Sequence, residues 1–297
     1  MNILSKYKNG NYNVLLLDNG TKIRYNNTTY FEPEKPENID LKITDYCTRG
    51  CKMCYAGSSK NGKHGDIMNL KFVDTMLPGS EVAIGGGNAL SHPDLKRFLH
   101  KLYNRQLIAN ITVDQDTFIW NQSYLKDLQE LQLIHGVGIS VSEPNKCLCQ
   151  LISDFPNAVV HVINGITTVD DLKTMRDYCI KKILILGYKN LGRGKDLYKN
   201  DYISIEQKKI KLYGALPLII EEGWFDVVSF DNLAIEQLNP RRFLTQEQWE
   251  QMYLGDDGFC SMYVDAVKQQ FAQSSTSTLY YDIQDDIKDM FDKVRRY

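Results

Sequence analysis

Across the middle of the chain, from residue 39 to residue 186, short apolar runs alternate with longer stretches of helical periodicity. The runs fall at residues 39–44, 81–85, 108–113, 137–142, 158–163 and 182–186, and amphipathic stretches at 93–103, 124–133 and 169–179 lie between them. Parallel neighbours in a sheet need long crossover connections, so strands separated by helices predict a parallel α/β sheet. Pro93 and Asp94 suit the first turn of the first of these helices. Such units close into a barrel or curve into part of one, and in barrels the active groups gather on loops at the C-terminal ends of strands. Unusual residues should therefore stand at the strand exits.

The first exit carries Asp45-Tyr-Cys-Thr-Arg-Gly-Cys-Lys-Met-Cys-Tyr55, with Cys47, Cys51 and Cys54 spaced C-x3-C-x2-C. With seven cysteines in 297 residues, chance places three at these offsets about 0.004 times per chain. Three thiolates on one loop can hold three irons of a 4Fe–4S cubane and leave the fourth iron open to a small molecule. The competing zinc site needs a fourth ligand at tetrahedral geometry, for which His64 is the only nearby candidate.

The second exit is Gly85-Gly86-Gly87-Asn88, where the absence of side chains lets backbone approach a bound group. Thr112, Asp114 and Asp116 stand at the third exit. Ser140 and Ser142, two residues apart on the fourth run, are expected to face one side of the sheet, with ordinary strand polarity as the bland alternative. Asn164 and Gly165 end the fifth run, and Leu186-Gly-Tyr-Lys-Asn-Leu-Gly-Arg-Gly194 follows the sixth.

The cysteine loop resembles that of the radical S-adenosylmethionine (radical SAM) superfamily, with Met53 where the family usually has an aromatic residue and Tyr55 following instead. The resemblance covers residues 39–194. It implies a partial (β/α)6 barrel in which Cys47, Cys51 and Cys54 ligate the cluster and SAM chelates the open iron. One electron then splits SAM into methionine and a 5′-deoxyadenosyl radical that abstracts hydrogen from a substrate. It further implies that Gly85, Gly86, Gly87 and Asn88 hold SAM, although the acidic residue of the family's Gly-Gly-Glu stretch is replaced by Asn88. Tyr55, Asp114, Ser140 and Ser142 are carried over as further SAM contacts. Arg193, in a Leu-Gly-Arg-Gly segment similar to that of several relatives, is expected to meet a carboxylate of SAM or substrate through its bidentate fork. Tyr55, Tyr188, Cys147 and Cys260 are open candidates for a final hydrogen donor.

Outside the core, residues 13–17 and 21–25 flank Asp18-Asn-Gly20 and predict a β-hairpin. A polar linker follows to residue 37. The expected division is 1–37 hairpin and linker, 38–194 radical SAM core, and 195–297 end of barrel with a small C-terminal α+β extension. In that last part 203–222 is helical, with Pro217 expected to break or kink it. A strand is expected at 225–230, a helix at 246–253, a hairpin at 262–267 and 270–273, and a terminal helix at 283–296. Cys179 falls on a helical pattern and is expected in the core, and Cys147 with Cys149 is expected to be ordinary packing.

Lys and Arg number 35 against 37 Asp and Glu, for a net charge of −2. That balance lacks the basic excess of a nucleic-acid protein, and Lys189, Arg193 and Lys195 are expected to form a solvated loop. No apolar signal segment and no run of about 18 apolar residues occurs, so a cytoplasmic, oxygen-sensitive protein without membrane contact is expected. The substrate expected from the resemblance is a peptide or protein side chain, despite the missing auxiliary-cluster cysteines, with flavodoxin or ferredoxin as electron donor. The alternatives are a nucleotide or other small metabolite, and a non-catalytic iron–sulfur or zinc binding module.

Overall fold

The computed structural model describes residues 2–28, 30–253 and 255–295. Its strands are β1 (Ile3–Asn9), β2 (Tyr12–Leu17), β3 (Lys22–Tyr25), β4 (Asn38–Thr44), β5 (Glu81–Gly86), β6 (Ile108–Asp114), β7 (Gly136–Ser140), β8 (Ala158–Ile163), β9 (Lys182–Leu186), β10 (Val227–Phe230), β11 (Ser261–Asp265), β12 (Gln270–Ala272) and β13 (Tyr281–Asp282). The helices are α1 (Leu95–Asn104), α2 (Gln115–Glu130), α3 (Lys146–Ser153), α4 (Val169–Asp177), α5 (Gly192–Asn200), α6 (Tyr202–Glu221), α7 (Asn232–Leu238), α8 (Gln246–Met252) and α9 (Ile287–Val294).

Strands β4 to β10 lie side by side in chain order and all run parallel, so the structure is an α/β fold on a large, mostly parallel sheet. Right-handed crossovers that always advance in one direction place their helices on one face. On that face Ile39, Leu41, Ile43, Ile84, Ile111, Ile139, Val162 and Ile185 are buried in one core with Phe98, Leu125, Met175 and Leu216 of the helices. The other face carries the alternate positions, among them Asp40, Lys42, Thr112, Ser140 and His161, and many of these remain partly accessible. An apolar helix-covered face and a polar open face on the same strands follow from the two-residue period of a strand.

Residues 13–17 and 21–25 pair as expected, but β1 adds a third strand to that sheet. It sits against the N-terminal ends of the parallel strands. Lys22 pairs with Glu81 at the start of β5 at 2.7 Å, and Lys182 at the start of β9 donates to the Asn19 carbonyl. Glu37, just before β4, is fully buried and accepts hydrogen bonds from Tyr12 and Arg24.

The expected C-terminal hairpin forms as β11 and β12, yet it does not stand apart. β11 pairs parallel with β4, and β12 and β13 continue the same sheet antiparallel. The terminal helix is shorter than the pattern suggested, and Arg296 lies outside the described residues. Three other local expectations fail. Pro93 precedes α1 rather than joining its first turn. α6 runs through Pro217 without ending. Cys179 is exposed at φ +64°, because α4 stops at Asp177 and the chain reverses there.

Candidate active site at the strand exits

The cysteine loop leaves the C-terminal end of β4 and folds back on itself. Cys47 N–H donates to Ser59 O at 2.9 Å, Ser59 N–H to Asp45 O at 3.0 Å, and Cys54 N–H to Cys51 O at 3.3 Å. Cys47, Cys51 and Cys54 are all unpaired and partly accessible. Burial pushes the Cys51 thiol up, Arg49 pulls it down, and the neighbouring charges of Cys54 and Cys47 push it up again. Among the described residues no three His, Cys, Asp or Glu side chains gather as ligands of a single metal ion. Thiolates that each hold a different iron of a cubane need no such common point. His64, the one candidate for a fourth zinc ligand, spends Nδ1 on Thr44 Oγ1 at 2.9 Å. The donor set fits a cluster better than zinc.

The glycine stretch lies directly against this loop. Gly87 N–H donates to Thr44 O and Asn88 N–H to Tyr46 O, both at 2.7 Å. A Cβ on Gly87 would come 2.2 Å from the Tyr46 carbonyl, whereas Gly85 looks onto open space. Asn88, expected to help hold SAM, accepts from Leu90 N–H with its side-chain Oδ1 at 3.2 Å.

Asp114 and Ser140 are brought together and Ser142 is not. Asp114, Ser140 and His161 are register partners on β6, β7 and β8 and form one row on the polar face. Asp114 is the N-cap of α2, accepting from Asp116 N–H, Thr117 N–H and Thr117 Oγ1. It also lies 3.8 Å from Arg49 Nε, while Arg49 Nη1 pairs with Asp116. β7 ends at Ser140, so Ser142 lies in the following loop, where its N–H donates to Gln115 Oε1. The expected shared face for the two serines is therefore absent.

Arg193 meets the cysteine loop itself. Its N–H donates to Cys54 O at 3.0 Å, Nε to Cys51 O at 2.9 Å and Nη1 to Ser58 O at 2.8 Å. Lys189 is not a solvated charge either. Its Nζ stands 4.3 Å from the Tyr55 ring centroid and donates to Ser275 Oγ at 2.8 Å. Of the candidate hydrogen donors, Tyr188 is buried with its hydroxyl on Gly194 O. Cys260 lies at the far end of the strands, where its carbonyl accepts from Glu37 N–H. Cys147 is exposed near the start of α3, and Tyr55 alone of the four belongs to the cysteine loop.

Sequence reasoning missed Arg49, the Lys189–Tyr55 contact and the polar face. On that face Lys42 is buried between Asp45 at 2.7 Å and Asp265 at 2.9 Å. The every-second-residue run Asn38, Asp40, Lys42, Thr44 on β4 was the available signal. Beside the site, a cleft of about 930 Å³ runs between α7, α8 and the loop before β13, with Glu236, Trp249, Asp257, Ser274 and Tyr281 in its walls. Lys189 links that loop to the cysteine loop through Ser275 and Tyr55.

No protein-family model matches the chain, and no curated protein matches it in sequence. Among the described residues no helix is long and apolar enough to cross a membrane. Solved structures do match. SuiB of Streptococcus suis bound to the precursor peptide SuiA superposes at TM-score 0.60 with 12% identity, and SuiB bound to S-adenosylmethionine at 0.57 with 14%. Each match covers 88% of this chain, which spans 65–66% of the SuiB chains. The chain that carries the cysteine loop is thus similar in fold to SuiB.

Proposed function

We propose that this chain is a radical SAM enzyme built on a partial (β/α)6 barrel, with residues 38–194 as its catalytic core. Cys47, Cys51 and Cys54 would hold a 4Fe–4S cluster, and Gly85, Gly86, Gly87 and Asn88 would carry SAM beside it. Such a cluster, when reduced, supplies the electron that splits SAM into methionine and a 5′-deoxyadenosyl radical able to take hydrogen from a substrate. The observation that carries this reading is the direct bonding of the glycine stretch to the end of β4 and the start of the cysteine loop, Gly87 to Thr44 and Asn88 to Tyr46, in a chain with the fold of SuiB.

The chain's own residues then position, insulate and anchor. Arg49 of the cysteine loop pairs with Asp116 past the exit of β6, and Arg193 past the exit of β9 donates to the loop carbonyls. The sheet of β1, β2 and β3 covers the opposite ends of the strands, which limits water entry from that side. Polar groups of Asp40, Thr112, Ser140 and His161 line the open face where a substrate would lie.

For the substrate we favour a peptide or protein side chain. The cleft between α7, α8 and the loop before β13 is roomy, mixed in charge and partly aromatic, which suits an extended segment of polypeptide better than a phosphate chain. SuiB is itself bound to a precursor peptide in one structure. A small electron carrier such as flavodoxin or ferredoxin, a cytoplasmic setting and oxygen sensitivity go with this reading.

The test is anaerobic reconstitution with iron and sulfide, reduction with dithionite, addition of SAM, and mass spectrometry for 5′-deoxyadenosine. Its formation, lost when Cys47, Cys51 and Cys54 are replaced by alanine, is the expected result. Full iron retention by the triple variant refutes the ligand assignment.

A further inference from the structure

Arg193 is tightly placed, and its charge is uncompensated. The exit of β9 packs on the cysteine loop so closely that a Cβ on Gly192, at φ +51°, would fall 2.3 Å from the Tyr55 carbonyl. A Cβ on Gly194 would fall 3.2 Å from the Met53 carbonyl. These two glycines bring the intervening arginine against the loop backbone. Its guanidinium then donates to the carbonyls of Cys51 and Ser58, and its backbone amide to that of Cys54. The nearby cations Arg49 and Lys42 each have two carboxylates, Asp114 with Asp116 and Asp45 with Asp265. Arg193 has no carboxylate at ion-pair distance among the described residues. A partly buried guanidinium without a counter-ion is costly unless a negative group completes its surroundings.

We infer that Arg193 is a positioning residue for the cluster, its guanidinium fixing the loop backbone at Cys51 and Ser58 and serving the reduced cluster as its counter-charge. The inference rests on the cluster assignment proposed above. Reduction adds one electron from an external reductant and breaks no bond, so the cluster becomes more negative by one charge. A fixed positive charge nearby favours that step, and hydrogen bonding and net charge are among the protein's means of setting cluster potential. Carbonyl acceptors in place of carboxylates leave that charge unspent.

The experiment is a low-temperature EPR redox titration, with iron counted per chain, of the reconstituted native protein, Arg193→Gln and Arg193→Lys. Arg193→Gln should shift the reduction equilibrium at least tenfold against reduction, about 59 mV more negative for a one-electron couple. Arg193→Lys keeps the charge but loses the planar fork. It should stay within a few-fold of the native equilibrium while holding less iron. Arg193→Gln with the native potential overturns the inference, whether iron is full or reduced, since a mere brace changes occupancy alone. If Arg193→Gln holds no iron, Arg193→Lys decides, and a potential displaced tenfold in that variant overturns it. A native protein that takes up no iron refutes the cluster assignment itself, a separate failure visible before any variant is made.

Discussion

Arg242 donates a hydrogen bond to the carbonyl of Tyr213, the acceptor to which Pro217 has no amide hydrogen to offer. Its guanidinium also stacks 3.7 Å from the Tyr213 ring centroid. A proline inside a helix removes one i→i−4 bond and crowds that same carbonyl, at a cost of about 3 kcal/mol. α6 nevertheless continues through residue 217, with its orphaned acceptor satisfied from outside the helix. Arg242→Ala should therefore destabilise the protein by about 1 kcal/mol in denaturant unfolding. In a Pro217→Ala background the same change should cost less, because an amide at position 217 then serves Tyr213. Equal costs in both backgrounds would mean that Arg242 acts only by stacking.

Glu37 ties the N-terminal sheet to the start of β4. Burial alone would raise its carboxyl, but hydrogen bonding and charge from Arg24, with Lys22 and Tyr12 adding to them, hold it below its ordinary value of 4.5. Since the folded value lies below the unfolded one, the unfolded chain takes up the proton first as pH falls. The contribution of Glu37 is thus complete above pH 4.5 and shrinks as pH drops through the folded value. Glu37→Gln should cost about 3–5 kcal/mol at neutral pH, since it leaves Arg24 buried without its counter-charge, while Lys22 keeps Glu81. The difference between native and variant should narrow below pH 4.5, measured by urea unfolding at a series of pH values. A constant gap down to pH 3 would place the effect in packing instead.

The parallel strands were legible because one face of each is apolar without exception, as in Ile39, Leu41 and Ile43. Where that pattern ran past the element it misled. Ser142 continues the polar alternation of Ser140, but the backbone has already turned toward Gln115. Cys179 continues the helical period of α4, but a positive φ has reversed the chain. The spacing of Cys47, Cys51 and Cys54 was legible as a motif, and the structure places the three on the loop after β4 as expected. The contacts of Arg193 were not legible, because its partners are carbonyls, and every residue type carries one. His161 escaped notice for a related reason: a single histidine among valines gives no sign of which face it occupies.

Gly85 and Gly87 are two residues apart and should respond differently to the same change. Gly87→Ala would drive a methyl into the Tyr46 carbonyl, loosening the contact between glycine stretch and cysteine loop, so iron loading and SAM binding should both fall. Gly85→Ala meets no atom within 4 Å, so fold and iron content should hold while the new methyl occupies space expected for SAM. Iron assay and equilibrium dialysis with SAM separate the two. Native SAM affinity in Gly85→Ala would move the cofactor elsewhere.

His161 stands on the open face with its ring over Gly138, where a Cβ would come 2.4 Å from Cε1 and 2.6 Å from Nε2. Burial pushes its imidazole down from 6.5 to about 4, so it is neutral throughout the physiological range. The folded value lies below the unfolded one, so the unfolded chain binds the proton first, and stability is lost as pH falls from 6.5 toward 4. An NMR titration of the ring carbon protons should be flat from pH 8 to 5 and move only near 4. Gly138→Ala must push the ring aside, and with better hydration the midpoint should climb toward 6.5. His161→Gln should flatten the native loss of stability between pH 6.5 and 4, because the side chain no longer titrates. A native midpoint near 6.5 would mean that the ring faces bulk water, leaving the polar face without its central neutral donor and acceptor.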